Sequence, residues 1–205
     1  MTFIQTFPNT ISPDTCQTII DRFLDDKDNQ RVGQLGPHVI NKDIKQSTDL
    51  YLSGLSHWED IRQVLYETLA RYMPEYIHNL KSTTHEFINP FVNGDIQDTG
   101  FQIQQTKPGE FYTWHDDSNI VEHFIHEQPI IRQLTYIWYL NTVPEGDDGY
   151  TEFIDGTRIQ PVQGSLLIFP ATWTYLHRGV APKTTTKYIT TGWLCNYRKN
   201  LNRVG

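Results

Sequence analysis

Phe101-Gln102-Ile103-Gln104-Gln105-Thr106, then a Pro108-Gly109 turn, then Phe111-Tyr112-Thr113-Trp114-His115 is the stretch on which the reading of this chain turns. Apolar and polar residues alternate there, and side chains two apart on a strand share a face. β-Branched and aromatic residues dominate, as strands prefer. The same pattern returns at Leu134–Asn141, Thr151–Ile154, Ser165–Pro170, His177–Val180 and Lys187–Tyr197. Turn signals separate these runs: Glu145 to Gly149, Asp155-Gly156 and Gln163-Gly164. Many short strands with such punctuation imply an antiparallel sandwich or barrel.

Upstream the period changes. Ser12 suits a helix N-cap and Pro13 the first helical position. Cys16, Ile19, Ile20, Phe23 and Leu24 follow at spacings of three and four, which makes one apolar face. Asp25 to Gln34 is polar and ends that helix, and a strand-like piece follows near Lys45–Leu52. Trp58, Ile61, Leu65, Leu69, Tyr72, Tyr76 and Leu80 stripe a longer helix from about Leu55 to Leu80, with a kink or restart expected at Pro74. The fold class is therefore α+β, mainly β, with the helices packed outside the strands. No repeat or long linker divides the chain. One domain is expected over residues 1–205, with 1–98 as helical support carrying a first strand and 99–198 as the β core.

The 205 residues carry a formal net charge of -7, which disfavours broad nucleic-acid binding. No run reaches the length of a membrane span, and the first residues lack a signal-peptide pattern. A cytoplasmic chain is expected, with Cys16 and Cys195 reduced and buried. No Cys-x-x-Cys pair offers a zinc site.

His115-Asp116-Asp117 carries the chemistry. On a strand His115 and Asp117 point the same way, so an imidazole and a carboxylate sit side by side while Asp116 faces away. A third ligand must come from a neighbouring strand, and His177 is the natural candidate. Two imidazoles and one carboxylate leave metal positions open, which is the pattern of non-haem iron(II) sites. His57-Trp58-Glu59 has the same form but opens the long helix, where residues two apart diverge, so it is rejected. His123 and His126 are read as loop residues within Asp116–Gln128. Lys187 follows His177 by ten residues. It is either a strand-start lysine reaching solvent or a buried cation for the distal carboxylate of a dicarboxylate co-substrate. Thr191 shares its face, and Tyr139 offers a further hydroxyl.

These pieces resemble the prolyl 4-hydroxylase branch of the 2-oxoglutarate/iron(II) dioxygenases. The resemblance rests on Tyr112-Thr113-Trp114-His115-Asp116-Asp117, Tyr139-Leu140-Asn141, Asp148-Gly149-Tyr150-Thr151-Glu152-Phe153, Gly164 to Phe169, His177, and Lys187 with Trp193. It covers Phe101 to Tyr197. It implies a double-stranded β-helix of jelly-roll or cupin type. It implies Fe(II) held by His115, Asp117 and His177, and 2-oxoglutarate held by Lys187, Tyr139 and Thr191. O2 is consumed, 2-oxoglutarate is decarboxylated to succinate and CO2, and a C–H bond is hydroxylated, with ascorbate as a reductant. Asp148 stands where the family carries glycine, and Thr106 where relatives often carry a tyrosine. Ser118–Arg132 falls where a substrate lid is expected, with Arg132 read as a solvated strand-start residue. Asp117 is intact, which favours hydroxylation over halogenation.

The substrate expected from the resemblance is a proline-containing peptide segment. Tyr112, Trp114, Trp138, Trp173, Tyr175 and Trp193 are groove candidates, of which about two are expected to face it, since strand aromatics are usually core. Two alternatives stand beside this one: the same chemistry on a free amino acid or other small molecule, and a non-catalytic metal-binding β-barrel module.

Overall fold

The structure, a computed structural model, describes residues 3–35, 39–83, 96–118, 121–125 and 128–197. β1 (Gln5–Phe7) precedes α1 (Pro13–Asp25), and β2 (Arg31–Val32) and β3 (Thr48–Tyr51) lead into α2 (Glu59–Thr83). Next come β4 (Ile96–Asp98), β5 (Gln102–Thr106), β6 (Tyr112–His115), β7 (Val121–Ile125) and β8 (Gln128–Tyr139). β9 (Thr151–Phe153), β10 (Arg158–Ile159), β11 (Leu166–Pro170), β12 (His177–Gly179) and β13 (Lys187–Tyr197) complete the chain.

The Ser12 hydroxyl accepts from the Thr15 backbone N–H at 3.0 Å, and Pro13 opens α1 as expected. Cys16, Ile19, Ile20 and Phe23 are buried, whereas Leu24 is exposed. α2 runs unbroken through Pro74, where a kink or restart was expected. Proline removes one hydrogen bond, to the carbonyl of Ala70. Ala70 and Pro74 both lie on the exposed side, so water can satisfy that carbonyl, while Leu69, Tyr76 and Leu80 hold the buried side in the core.

Among the described residues the strands form two antiparallel sheets. The larger has the order β1-β11-β8-β13-β5-β3-β2, with β4 added on β13 and β7 on β8; the smaller has the order β10-β9-β12-β6. Period-two alternation divides the core. On β8 and β11, Tyr136, Trp138, Leu166 and Ile168 pack outward against Ile19, Phe23, Trp58 and Leu65 of the helical layer. Ile137, Tyr139, Leu167 and Phe169 point inward, against Phe153 of the smaller sheet. Both faces are thus buried, which is why Leu166–Phe169 reads as a continuous apolar run. Cys16 and Cys195 are free and buried. No helix among the described residues is long and apolar enough to cross a membrane.

Three details depart from the sequence reading. β8 begins at Gln128, so the segment expected as a lid is largely a β7–β8 hairpin that extends the larger sheet. His123 accordingly lies on a strand and not in a loop, and His126 lies outside the described residues. The segment lacks a clean alternation of apolar and polar residues, and pairing with the backbone of β8 makes it a strand. Asp148, where the family carries glycine, keeps a left-handed backbone (φ 60°) and forms an ion pair with Lys183 at 3.0 Å.

Gly192 on β13 is a tight approach. A Cβ there would sit 2.6 Å from the Gly100 carbonyl oxygen and would collide with the Tyr136 hydroxyl. Gly192→Ala is expected to cost about 1–3 kcal/mol, read as a lower urea midpoint with an unchanged slope.

Candidate active site

Cross-strand pairing assembles the site. β12 lies between β6 and β9, and its register sets His177 directly opposite His115 on one side and Phe153 on the other. The two imidazole centroids are 4.2 Å apart. Asp117 follows β6; its N–H donates to the Ala171 carbonyl at 3.2 Å, and its Oδ2 accepts from the Thr135 hydroxyl at 2.7 Å. His115 Nε2 lies 4.0 Å from Asp117 Oδ1, and His177 Nε2 lies 3.6 Å from Asp117 Oδ2. One ligand atom from each of the three residues falls within 4.8 Å of the others.

Hydrogen bonds set the tautomers. His115 Nδ1 is 2.8 Å from the Thr113 carbonyl oxygen, and His177 Nδ1 is 3.1 Å from that of Tyr175. A carbonyl only accepts, so each Nδ1 carries the proton and each Nε2 offers its lone pair inward. Burial, and then the neighbouring His177, pushes the His115 pKa down to about 4, so the ring is neutral at neutral pH. Burial raises the pKa of Asp117, but the two imidazoles and the Thr135 hydroxyl outweigh it and hold the group ionised. Tyr112 stacks on His115 at 3.5 Å, while Phe169 meets His177 edge-on at 4.8 Å. Two imidazoles and a carboxylate, oriented from behind by protein acceptors and a donor, suit a divalent metal with open positions.

The cavity beside these ligands is lined from both sheets. Lys187, Ile189, Thr191 and Trp193 come from β13, Gln104 and Thr106 from β5, and Thr135 and Ile137 from β8; Thr151, Gly179, Tyr112, Lys45 and Ser47 also face it. Lys187 is 4% exposed. Its Nζ donates to the Gly149 carbonyl at 2.9 Å, and among the described residues no carboxylate pairs with it. Burial lowers its pKa to about 8. The solvent-reaching alternative for Lys187 is therefore replaced by a buried cation on the cavity wall.

Other sequence expectations meet a different placement. Thr191 lines the cavity, but its hydroxyl donates to the Tyr136 carbonyl at 2.9 Å. The Tyr139 hydroxyl lies 2.8 Å from Thr151 Oγ1, and Thr151, not Tyr139, reaches the cavity wall. Arg132 is not a solvated strand-start residue. It is half-buried, 3.6 Å above the Trp193 ring, with Nη1 3.4 Å from the Asp117 carbonyl oxygen. Of the six groove aromatics, Tyr112 and Trp193 line the cavity. Trp138 is core, and Trp114 and Trp173 are exposed on the outside. The rejected His57 pairs with Asp26 at 2.8 Å, away from the cavity.

Sequence reasoning gave Lys45 only a supporting part. Its ammonium is buried against Asp49 at 2.7 Å, and Asp49 also accepts from Ser47 and Gln102. The four-residue spacing of Lys45 and Asp49 was visible, but nothing in it said that the pair lies on the cavity wall.

A model of the 2OG-Fe(II) oxygenase superfamily matches residues 101–195. The matched segment spans β5 to β13 and contains His115, Asp117 and His177. No curated protein matches the chain in sequence. Solved structures match its fold. The viral collagen prolyl hydroxylase of Paramecium bursaria Chlorella virus-1, solved with 2OG, is 19% identical, with 95% of this chain and 97% of that chain covered and a TM-score of 0.65. A Pseudomonas putida prolyl-4-hydroxylase is 17% identical, with 97% and 94% covered and a TM-score of 0.66. A Trichoplax adhaerens prolyl hydroxylase, solved with a hypoxia inducible factor peptide fragment, is 18% identical, with 96% and 84% covered and a TM-score of 0.64. The oxygenase fold is the double-stranded β-helix these proteins share, and the chemistry of the superfamily uses Fe(II), 2-oxoglutarate and O2.

Thr135→Val removes the donor to Asp117 with little change in shape. Metal affinity is expected to fall about tenfold or more, measured by competition titration with a chelating indicator.

Proposed function

We propose that this oxygenase hydroxylates a proline in a peptide or protein segment, coupled to decarboxylation of 2-oxoglutarate. The observation that carries the co-substrate half is Lys187: a buried ammonium with no carboxylate partner among the described residues, in the same cavity as the ligand set. An isolated buried charge is costly unless a ligand completes it. A dicarboxylate co-substrate held beside the metal would present its far carboxylate to Lys187. Thr191 walls the chain of the co-substrate, and Tyr139 acts through Thr151.

His115, Asp117 and His177 hold Fe(II), which when bound supplies the O2 activation that hydroxylation requires. The remaining work belongs to the protein. Tyr112 and Trp193 close apolar faces over the cavity. Arg132, whose guanidinium lies 3.6 Å over the Trp193 ring, would offer its terminal nitrogens to a peptide carbonyl at that end. That donor beside an aromatic ring favours a peptidyl proline over a free amino acid, because an extended segment presents both a ring and backbone carbonyls. The likeness to prolyl hydroxylases agrees in fold.

The test is the purified chain with Fe(II), ascorbate, 2-oxoglutarate and proline-bearing peptides, read by mass spectrometry for a gain of one oxygen. Turnover of 2-oxoglutarate with no peptide modified excludes the proline substrate. Oxidation of free amino acids instead supports the small-molecule reading.

Lys187 also sets a pH signature. Its pKa of about 8 lies below its ordinary value near 10.5, so the free protein loses that charge as pH rises through about 8. Co-substrate affinity should fall over the same window. Stability has the opposite sign, because between about 8 and 10.5 the unfolded chain binds the extra proton, so the free protein gains stability as pH rises there. Lys187→Ala should raise the KM for 2-oxoglutarate by at least about tenfold, the scale of a lost charged hydrogen bond, and abolish this pH dependence; steady-state kinetics from pH 6.5 to 9.5 checks both.

A further inference from the structure

β12 has little of its own to fix its register. It reads His177-Arg178-Gly179 and contains no apolar residue. Register is ordinarily set by which side chains must be buried, and such a strand is free of that constraint. Its pairing with β6 is two residue pairs long and shifts between them. Cross-strand side-chain contacts must then hold it. They stand on the outer face of the smaller sheet. Arg158 of β10, Glu152 of β9 and Arg178 of β12 are direct partners across the ladder. Glu152 Oε1 accepts from Arg158 Nε at 2.8 Å, and its Oε2 accepts from Arg178 Nε at 2.6 Å. The Arg178 guanidinium lies 4.8 Å over the Trp114 ring of β6. The row thus crosses all four strands of the sheet. Glu152, within it, is 6% exposed, whereas both arginine side chains reach solvent. Three of its members adjoin cavity residues in sequence: Glu152 adjoins Thr151, Arg178 adjoins His177, and Trp114 adjoins His115.

We propose that Glu152 is a positioning residue for the metal site: by holding Arg178 it keeps β12 in the register that sets His177 opposite His115. This rests on the reading of His115, Asp117 and His177 as the metal ligands. The link is directional, because each carboxylate oxygen is committed to a different arginine. A one-residue slip of β12 would turn Arg178 toward the cavity and His177 away from it. That slip would break the bond to Glu152 and the stacking on Trp114 together. The row therefore opposes the one displacement that removes a ligand. Its part in holding the metal is separable from its part in stability. Replacing a buried ion pair by an apolar side chain of similar volume is often neutral for the fold, and here both arginines can turn to water.

The experiment titrates the full chain with Co(II), whose absorption bands report the geometry of its ligands, and follows the melting temperature of the metal-free protein beside it. Glu152→Met, an unbranched side chain of similar length, should weaken Co(II) about tenfold and shift the bands, with the melting temperature little changed. Arg178→Met should do the same. The double variant should be no weaker than either single one, because the two residues act as a unit. Arg158→Gln should leave affinity and bands unchanged, since the contacts of Arg158 are with Glu152 and Tyr150 and not with β12. Unchanged affinity and bands in both single variants overturn the proposal, and so do losses that add in the double variant. If Glu152→Met does not fold, Arg178→Lys decides: it keeps the charge and loses the planar fork, and unchanged bands and affinity there overturn the proposal equally. His177→Ala separates the two readings. Lost Co(II) binding in His177→Ala with intact binding in Glu152→Met removes the positioning role alone. Intact binding in His177→Ala removes the ligand assignment with it.

Discussion

The antiparallel pairing of β12 with β6, which sets His177 across from His115, is the constraint on which the site depends. A one-residue slip would turn one imidazole out of the barrel. The register shift between His177 and Gly179 confines the strict pairing to the histidines themselves. Two backbone carbonyls, of Thr113 and Tyr175, then fix which nitrogen of each ring faces inward. Asp117 sits beyond the end of β6 and needs anchors of its own, the Ala171 carbonyl and the Thr135 hydroxyl. Backbone geometry therefore places the two imidazoles, and a backbone and a side-chain hydrogen bond together place the carboxylate.

β13 turns that local site into an extended one. It pairs with β5 on one edge and β8 on the other, and its alternate residues Lys187, Ile189, Thr191 and Trp193 all face the cavity. Six residues of strand span roughly 20 Å. Lys187 and the tryptophan under Arg132 are thus held at a fixed separation on one strand. The same alternation runs down β8, where Thr135 and Ile137 line the cavity and Tyr139 lies one step further, beyond its wall. This is why a tyrosine of the right parity reaches the cavity only through Thr151.

Local pattern explains what the sequence disclosed. The cap at Ser12, the stripe from Trp58 to Leu80 and the alternating strands after Phe101 each depend on neighbours in sequence, so their reading carried over to the fold. The decoy at His57 was separable from the ligand pair by helix periodicity alone. What failed depended on partners distant in sequence. Whether the proton of Thr191 is free is decided by the Tyr136 carbonyl, 55 residues away. Arg132 reads as a strand-start charge until Trp193 lies beneath it. Val121–Ile125 lacks a clean alternation and gains its strand from the backbone of β8. A hydrogen-bond partner that arrives through tertiary pairing leaves no mark in residue spacing.

Charge also distinguishes the cavity from the molecule around it. The chain carries a net -7, whereas the buried and half-buried charges at the site lean the other way. Lys45 is cancelled by Asp49, and Asp117 offsets only one of Arg132 and Lys187. Among the described residues that line the cavity, Lys187 is a cation with no carboxylate beside it. A dication alone would deepen that imbalance, and a dianion alone would reverse it inside a poorly solvated space. When the two occupy the site together their charges cancel. Each ligand thus lowers the electrostatic cost of admitting the other, and linkage requires the effect to be mutual. Lys187 would favour a dianion over a monoanion within this scheme, because among the described residues no carboxylate pairs with it.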